Sequence, residues 1–387
     1  MIERTIYADN NATTMVSPEV KDEILPFLTD LYGNPSSMHL FGGQVKGYLD
    51  TAREKVAALI NADPSEILFT SCGTESDNNA ISGILANTPN KKHIITTRVE
   101  HPAVKNVCQS LIQSGYRITE LSVDKTGQID LDELRESIDD DTALVSIMWA
   151  NNETGVIFPI DEAAQMVKSK GIPFHTDAVQ AVGKLPVDAK KTPFDLLAIS
   201  GHKLHAPKGI GVLYIRKGTR ISPFILGGHQ EGGRRAGTEN IPYIAGLGKA
   251  CEIAKQNMEN EQTQVSKLRD RLEKELLEKA VDASVNGDIK NRLPNTTNIS
   301  FKYIEGESIL LLLSAQGIAA SSGSACTSGS LEPSHVLRAM GVPFTRVHGS
   351  IRFSLSRYNT DEEISIIVEK MLNIEQRLRV ISPFTDD

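Results

Sequence analysis

A chain of 387 residues is too long for one small core and fits two domains, or one large domain with a smaller satellite. With 40% hydrophobic and 23% charged residues it has the composition of an ordinary soluble globular protein, and a formal net charge of −8 speaks against a nucleic-acid surface. Four cysteines cannot build a disulfide framework, which points to a reducing cytoplasm, and no apolar run approaches the roughly 18 residues of a membrane span. Residues 1–10 are charged and polar, without the apolar segment of a signal peptide.

Along the chain, short apolar runs at 67–70, 93–99, 118–123, 143–149, 172–174, 194–199 and 211–215 read as buried strands. Amphipathic helices fall between several of them. One covers 75–86, and another covers 104–114 with Val104, Val107, Cys108 and Leu111 on one face. Strands alternating with helices predict a mostly parallel sheet with both faces covered. After Asn240 the texture changes. Residues 244–280 form a long helical stretch rich in Glu, Lys and Gln, read as one helix running into another that leads out of the first domain. Two more strands, 298–303 and 351–355, follow with helices between and after them, the last over 362–380. The expected division is a large α/β domain over 15–255 and a smaller α+β domain from 256 to the end.

In an open α/β sheet, ligands sit at the carboxyl ends of the strands. Directly after the predicted strands come Ser71-Cys72-Gly73-Thr74, Glu100-His101-Pro102, Asn151-Asn152-Glu153, Thr176-Asp177-Ala178 and Ser200-Gly201-His202-Lys203. Each has a bland reading beside a chemical one. The Ser71–Thr74 turn enters a helix whose backbone N–H groups suit a phosphate, or it is an ordinary N-capped turn. Asp177 ends a buried strand, where a carboxylate is costly unless paired, by a cofactor's pyridinium nitrogen or by a structural salt bridge. His101 stacks on a ring or caps the next helix. Lys203 suits a Schiff-base amine near a phosphate, against a solvated lysine in a turn; Lys208, in a Pro-Lys-Gly turn, reads as the latter.

The cysteines separate by context. Cys108 and Cys251 lie on apolar helix faces and read as core, and Cys72 sits in the turn where a small residue suffices. Cys326 stands among small residues only, from Ala320 to Ser330, in a segment that buries little. A thiol there suits a nucleophile that must travel, or is a passive exposed cysteine. Arg352 has the geometry to clamp a carboxylate bidentately, with a surface ion pair as the alternative.

Taken together, the motifs resemble a known family. Asp9-Asn10-Asn11-Ala12-Thr13-Thr14, Gly33-Asn34-Pro35-Ser36-Ser37, Gly73-Thr74-Glu75-Ser76, Glu100-His101-Pro102, His175-Thr176-Asp177-Ala178-Val179-Gln180, Gly201-His202-Lys203, Arg235-Ala236-Gly237-Thr238-Glu239-Asn240, Ser324-Ala325-Cys326 and Arg352-Phe353-Ser354 are similar to those of the cysteine desulfurases, class-V aminotransferase relatives, in the same order from about residue 7 onward. The match resembles the nitrogen-fixation, NifS-like branch most, beside the housekeeping IscS-type one. The ending at Asp387, without the longer tail of the housekeeping branch, favours the nitrogen-fixation branch, and the long small-residue cysteine loop separates the chain from the branch with a short, rigid loop.

The resemblance implies pyridoxal-phosphate fold type I, like aspartate aminotransferase: a large domain around a mostly parallel sheet and a small α+β domain formed by 256–387 with the N-terminal residues 1–14. It implies that Lys203 forms the Schiff base with pyridoxal 5′-phosphate, that Asp177 keeps the pyridine nitrogen protonated and that His101 stacks on the ring and moves protons. Asn152 and Gln180 would contact ring substituents, and Gly73, Thr74, Ser200, Gly201 and His202 would surround the phosphate, joined by Thr238 of the second subunit of a homodimer. Asn34 and Arg352 would receive the carboxylate of L-cysteine. Cys326 would take the sulfur as a persulfide, leaving alanine, and pass it to an iron–sulfur scaffold protein. No metal is implied beyond transient ligation of a cluster by Cys326. Two rivals stay open: another pyridoxal-phosphate enzyme such as an aminotransferase or selenocysteine lyase, and a non-catalytic sulfur carrier. A dinucleotide oxidoreductase does not, since no Gly-x-Gly-x-x-Gly follows the first strand.

Overall fold

The computed structural model describes residues 5–322 and 333–382. Its centre is a seven-stranded sheet in the order Ile67–Thr70, Gly211–Ile215, Leu196–Ser200, Phe174–Asp177, Thr142–Ser146, His93–Thr97, Arg117–Leu121. Gly211–Ile215 runs antiparallel to both neighbours, and the remaining neighbours pair in parallel. Six of these strands are buried along their whole length, which is why they read as unbroken apolar runs. The seventh corrects the expectation of a buried strand at 118–123. Arg117–Leu121 lies at the sheet edge, and of its residues only Leu121 is buried.

Helices cover both faces. Pro102–Ile112 and Gly73–Asn87 pack on one side with Val104, Cys108, Ile81 and Ile84 in a shared cluster. On the other side the 20-residue helix Leu40–Leu59 lies along Ile241–Gln256. The two backbones come very close there: a Cβ added at Gly248 would meet Ala52 Cα at 2.7 Å. The long helical stretch beyond is broken, as its composition suggested. Ile241–Gln256 gives way to a short turn and a π-helical segment, Glu261–Val265, before Ser266–Lys279.

The C-terminal part builds its own core around an antiparallel sheet in the order Ser350–Ser354, Thr296–Phe301, Ala283–Val285. The strand Ala283–Val285 is three residues long and partly exposed, too short for a sequence signal. The long helix Asp361–Ile381 starts at a capping box, Thr360 with Glu363, and seals this core with Ile364, Ile367 and Met371. The N-terminal strand Ile6–Tyr7 pairs in parallel with Ile318–Ala319, and Ile6 and Ala8 join the same core. Residues 9–14 then cross to the seven-stranded sheet, where Thr14 N donates to the His202 carbonyl. His335–Ala339 also crosses, with Val336 and Leu337 in the larger core. Among the described residues, no helix is long and apolar enough to cross a membrane.

Candidate active site

The strand ends Asp177 and Ser200, with Cys72–Thr74, His101–Pro102 and Met148 just beyond the strand Thr142–Ser146, surround one cavity of about 540 Å3. Of the residues picked from sequence, Gly73, Thr74, His101, Asn152, Asp177, Gln180, Ser200, His202, Lys203 and Arg352 line it. Asn34, Gly201 and Thr238 do not. Asn34 turns its Oδ1 back to Ser36 N at 2.9 Å, and Thr238 is exposed away from the cavity. Gly201 packs against Ile210, whose Cγ2 would lie 2.8 Å from an added Cβ. Cys326 lies outside the described residues.

Lys203 closes the short turn Gly201–Lys203 directly after Leu196–Ser200. Its Nζ donates to the Ala12 carbonyl at 2.7 Å and to the Asn11 carbonyl. Burial pulls its amine down to about 7, with the Arg352 and Lys184 cations acting the same way against Asp9 and Asp177. An amine in that range is substantially unprotonated near neutrality, as a nucleophile must be.

Asp177 is 6% exposed, and its Oδ1 accepts from Val179 N at 2.9 Å. Among the described residues no cation lies in ion-pair contact with it. Burial therefore raises its carboxyl, against His101, the Val179 N–H and Lys203. Two more buried acids stand nearby. Glu100 is pushed up to about 8 by burial, and Asp77 is raised well above its usual value by burial first and then by the Asp177 and Glu100 charges beside it. Only Asp177 has His101 and Lys203 as favourable company, so it is the acid placed to carry charge.

His101 satisfies both of its sequence readings. Its Nδ1 accepts from Ala103 N at 3.1 Å and caps Pro102–Ile112, while the ring lines the cavity. That bond puts the proton of the neutral ring on Nε2. Burial, with Lys203 assisting, lowers its basicity against Asp177. His202, pushed down to about 4 by burial and neighbouring cations, is a neutral hydrogen-bonding ring beside Thr13 Oγ1 at 3.1 Å.

The helix Gly73–Asn87 points its N-terminus into the cavity. Cys72 is its cap, with Sγ accepting from Glu75 N, which is a use for that cysteine beyond small size. Glu75 is held by Arg235 through two hydrogen bonds of 2.9 and 3.2 Å. At Gly73 a Cβ would come within 2.9 Å of Val179 Cγ2 and 3.3 Å of Ser200 Cβ. The turn is therefore packed to the limit where it lines the cavity.

Arg352 is placed differently from an open clamp. It is 1% exposed, with Nη2 2.6 Å from Asp9 Oδ1 and Nη1 donating to the Asn152 carbonyl at 2.9 Å. Its strand, Ser350–Ser354, bridges to Asp9 at Ser354, which brings the pair together, and among the described residues its buried Nε has no hydrogen-bond partner. Sequence reasoning assigned no part to Asp77, Glu153, Ser334, His335 or Arg338, all of which line the cavity. Asp77 stands four residues after Gly73, one helical turn along, which was a usable signal. Glu153 is buried, and Ser334 Oγ donates to its Oε2.

The residues fit pyridoxal phosphate: an amine at a strand end, a buried carboxylate short of a partner, a helix N-terminus for phosphate and an imidazole over the space between. This combination defines a pyridoxal-phosphate enzyme of fold type I. The class-V aminotransferase family model matches residues 6–367. The cysteine desulfurase of a Nostoc species is 63% identical over 382 residues, spanning 99% of this chain and 96% of its own. The cysteine desulfurase NifS of Azotobacter vinelandii is 57% identical, covering 98% of this chain and 94% of its own. Among solved structures, a NifS-like protein superposes with a TM-score of 0.91 at 40% identity, covering 97% of this chain and 100% of that one. SspA in complex with cysteine superposes at 0.82 with 35% identity, covering 92% and 100%. The chain belongs to the class-V aminotransferase family and, within it, to the cysteine desulfurases.

Proposed function

We propose that the chain removes sulfur from L-cysteine, releasing alanine and leaving the sulfur on Cys326. The observation that carries this is the buried Lys203 amine at a strand end, in a cavity it shares with Asp177, His101 and the helix N-terminus at Gly73. When bound, pyridoxal phosphate supplies an electron sink that makes the substrate's α-hydrogen acidic and its sulfur electrophilic.

The protein's own groups divide the remaining work. Gly73, Thr74, Ser200 and His202 bind the phosphate, and Asn152 and Gln180 orient the ring. Asp177 holds the proton on the pyridine nitrogen, and burial makes that ion pair the favourable way to satisfy the carboxylate. Lys203 would take the α-proton, and His101, with Nε2 bearing the proton of its neutral ring, would serve as a second proton donor or acceptor in the cavity. Arg352, sharing its guanidinium with Asp9, receives the substrate carboxylate. The Cys326 thiolate then attacks the substrate sulfur: the S–S bond forms as the Cβ–S bond breaks, and protons delivered to carbon complete alanine.

Residues 15–255 are the cofactor-binding domain in this reading, and 1–14 with 256–387 the small one. The exposed Thr238 completes the phosphate site of a second subunit, so the working form is a homodimer. Sulfur passes from Cys326 to an iron–sulfur scaffold protein. The test is alanine formation from L-cysteine together with mass spectrometry of the alkylated Cys326 peptide. A 32-dalton increment (about one sulfur atom) on that peptide supports the reading, and alanine formation without any sulfur on Cys326 overturns it.

A further inference from the structure

Residues 9–14 run between the two sheets, and Asn11 is bonded to the three-stranded sheet and to the loops that follow the strands of the seven-stranded one. It is 2% exposed. Its N–H donates to Ser354 Oγ at 2.9 Å and its Nδ2 to Thr296 Oγ1 at 2.8 Å, both on the three-stranded sheet. Asn295 Nδ2 donates to its Oδ1 at 3.0 Å. On the other side, its Nδ2 donates to the Asn152 carbonyl at 3.2 Å. The Asn11 carbonyl faces the cavity, where it accepts from Gln180 Nε2 at 3.0 Å and from Lys203 Nζ; the neighbouring Ala12 carbonyl takes a second Lys203 N–H.

Two carbonyl acceptors match an amine that is free. A lysine nitrogen bonded to a cofactor carbon keeps at most one N–H to donate, so a pair of acceptors has no use while that bond exists. Each acceptor favours the charged amine and works against the burial around it. Lys203 also faces Asp9 on the same strap, Arg352 from the three-stranded sheet, Asp177 and Lys184 from the strand end and the turn after it, and the His101 and His202 rings.

We propose that Asn11 is a positioning residue, which clamps the 9–14 strap between the three-stranded sheet and the cavity-rim loops so that the Asn11 and Ala12 carbonyls receive the Lys203 amine whenever it leaves the cofactor. This rests on the reading of Lys203 as the cofactor-bonding lysine. The strap thereby sets where the free amine stands and how readily it holds a proton.

The test uses the full chain stripped of cofactor. Pyridoxal phosphate is added at a series of pH values, and the growth of the bound visible band is timed. The rate rises with the unprotonated fraction of the amine, so its midpoint reports that amine. Asn11→Ala removes the clamp and weakens both acceptors, which lowers the midpoint by about one pH unit. Thr296→Val removes one Asn11 partner without touching the cavity lining and shifts the midpoint the same way by less. If Asn11→Ala fails to fold, Thr296→Val and Asn11→Ser carry the measurement. Folded variants whose midpoint matches wild type overturn the proposal. A Lys203→Ala chain that still develops the band overturns the choice of lysine instead, so the two failures are distinct.

Discussion

Replacing Asp177 by Asn separates the role of its charge from the role of its shape. Asp177 Oδ1 accepts from Val179 N at 2.9 Å, and an asparagine Oδ1 keeps that bond, so the turn at the end of Phe174–Asp177 survives. What disappears is the negative charge facing the cavity. Without it the pyridine nitrogen loses the partner that keeps it protonated, and release of the α-proton slows. Removing one buried electrostatic partner at a reacting centre costs about 2.7 kcal/mol, or roughly a hundredfold in rate. Stability moves the other way. Burial raises the folded carboxyl above its usual range, so the folded chain holds that proton more tightly than the unfolded chain does. Ionising it therefore costs stability as pH rises through the unfolded value, and the cost persists above the folded one. Asn carries no such penalty, so the cofactor-free variant melts at or above the wild-type temperature at pH 8, and the two curves converge in acid. The assay pairs alanine release from L-cysteine with melting of the cofactor-free chain. Wild-type turnover in Asp177→Asn would show the acid to be structural and refute the assignment.

Lys203→Ala abolishes the visible absorption of the bound cofactor, and a band that persists through dialysis places the bond on another lysine. Cys326→Ser keeps the colour and still binds L-cysteine but releases neither alanine nor sulfide, since oxygen cannot carry a persulfide; desulfuration at the wild-type rate would sink the thiol mechanism. Cys251→Ser does the reverse. Cys251 is fully buried and its thiol is pushed up to about 12 by burial, so it supplies no thiolate near neutrality, and a buried hydroxyl there costs about 1–3 kcal/mol in denaturant unfolding with activity kept. The same substitution at Cys108, likewise buried with its thiol raised to about 12, behaves alike. Sedimentation gives a dimer at assay concentrations, and a fully active monomer removes Thr238 from the site.

Much of this protein was legible in one dimension because its signals are local. A buried parallel strand is an unbroken apolar run, and a polar residue directly after such a run must stand at the sheet's carboxyl rim. Those two facts bring Gly73, His101, Asp177 and Lys203 to one cavity before any coordinates are considered. The limits were equally physical. Edge position is a property of neighbours, so Arg117–Leu121 looked buried from its own residues, yet only Leu121 is buried. Gly201 shares a motif with His202 and Lys203, yet its place is set by Ile210 across the turn. From sequence Arg352 reads as a carboxylate clamp or as half of a surface ion pair, and only the packing of the N-terminal residues beside its strand makes it a buried partner of Asp9. Asn11 lay inside a quoted motif with no role assigned to it. Its role comes from partners at 152, 180, 203, 295, 296 and 354, brought together only when both sheets form. Sequence alone determined which elements form and which chemical groups stand at their ends, because periodicity and chain direction are short-range. The tertiary structure decided which of those groups are already engaged and which face the cavity unpaired, because burial and pairing arise between segments far apart in the chain.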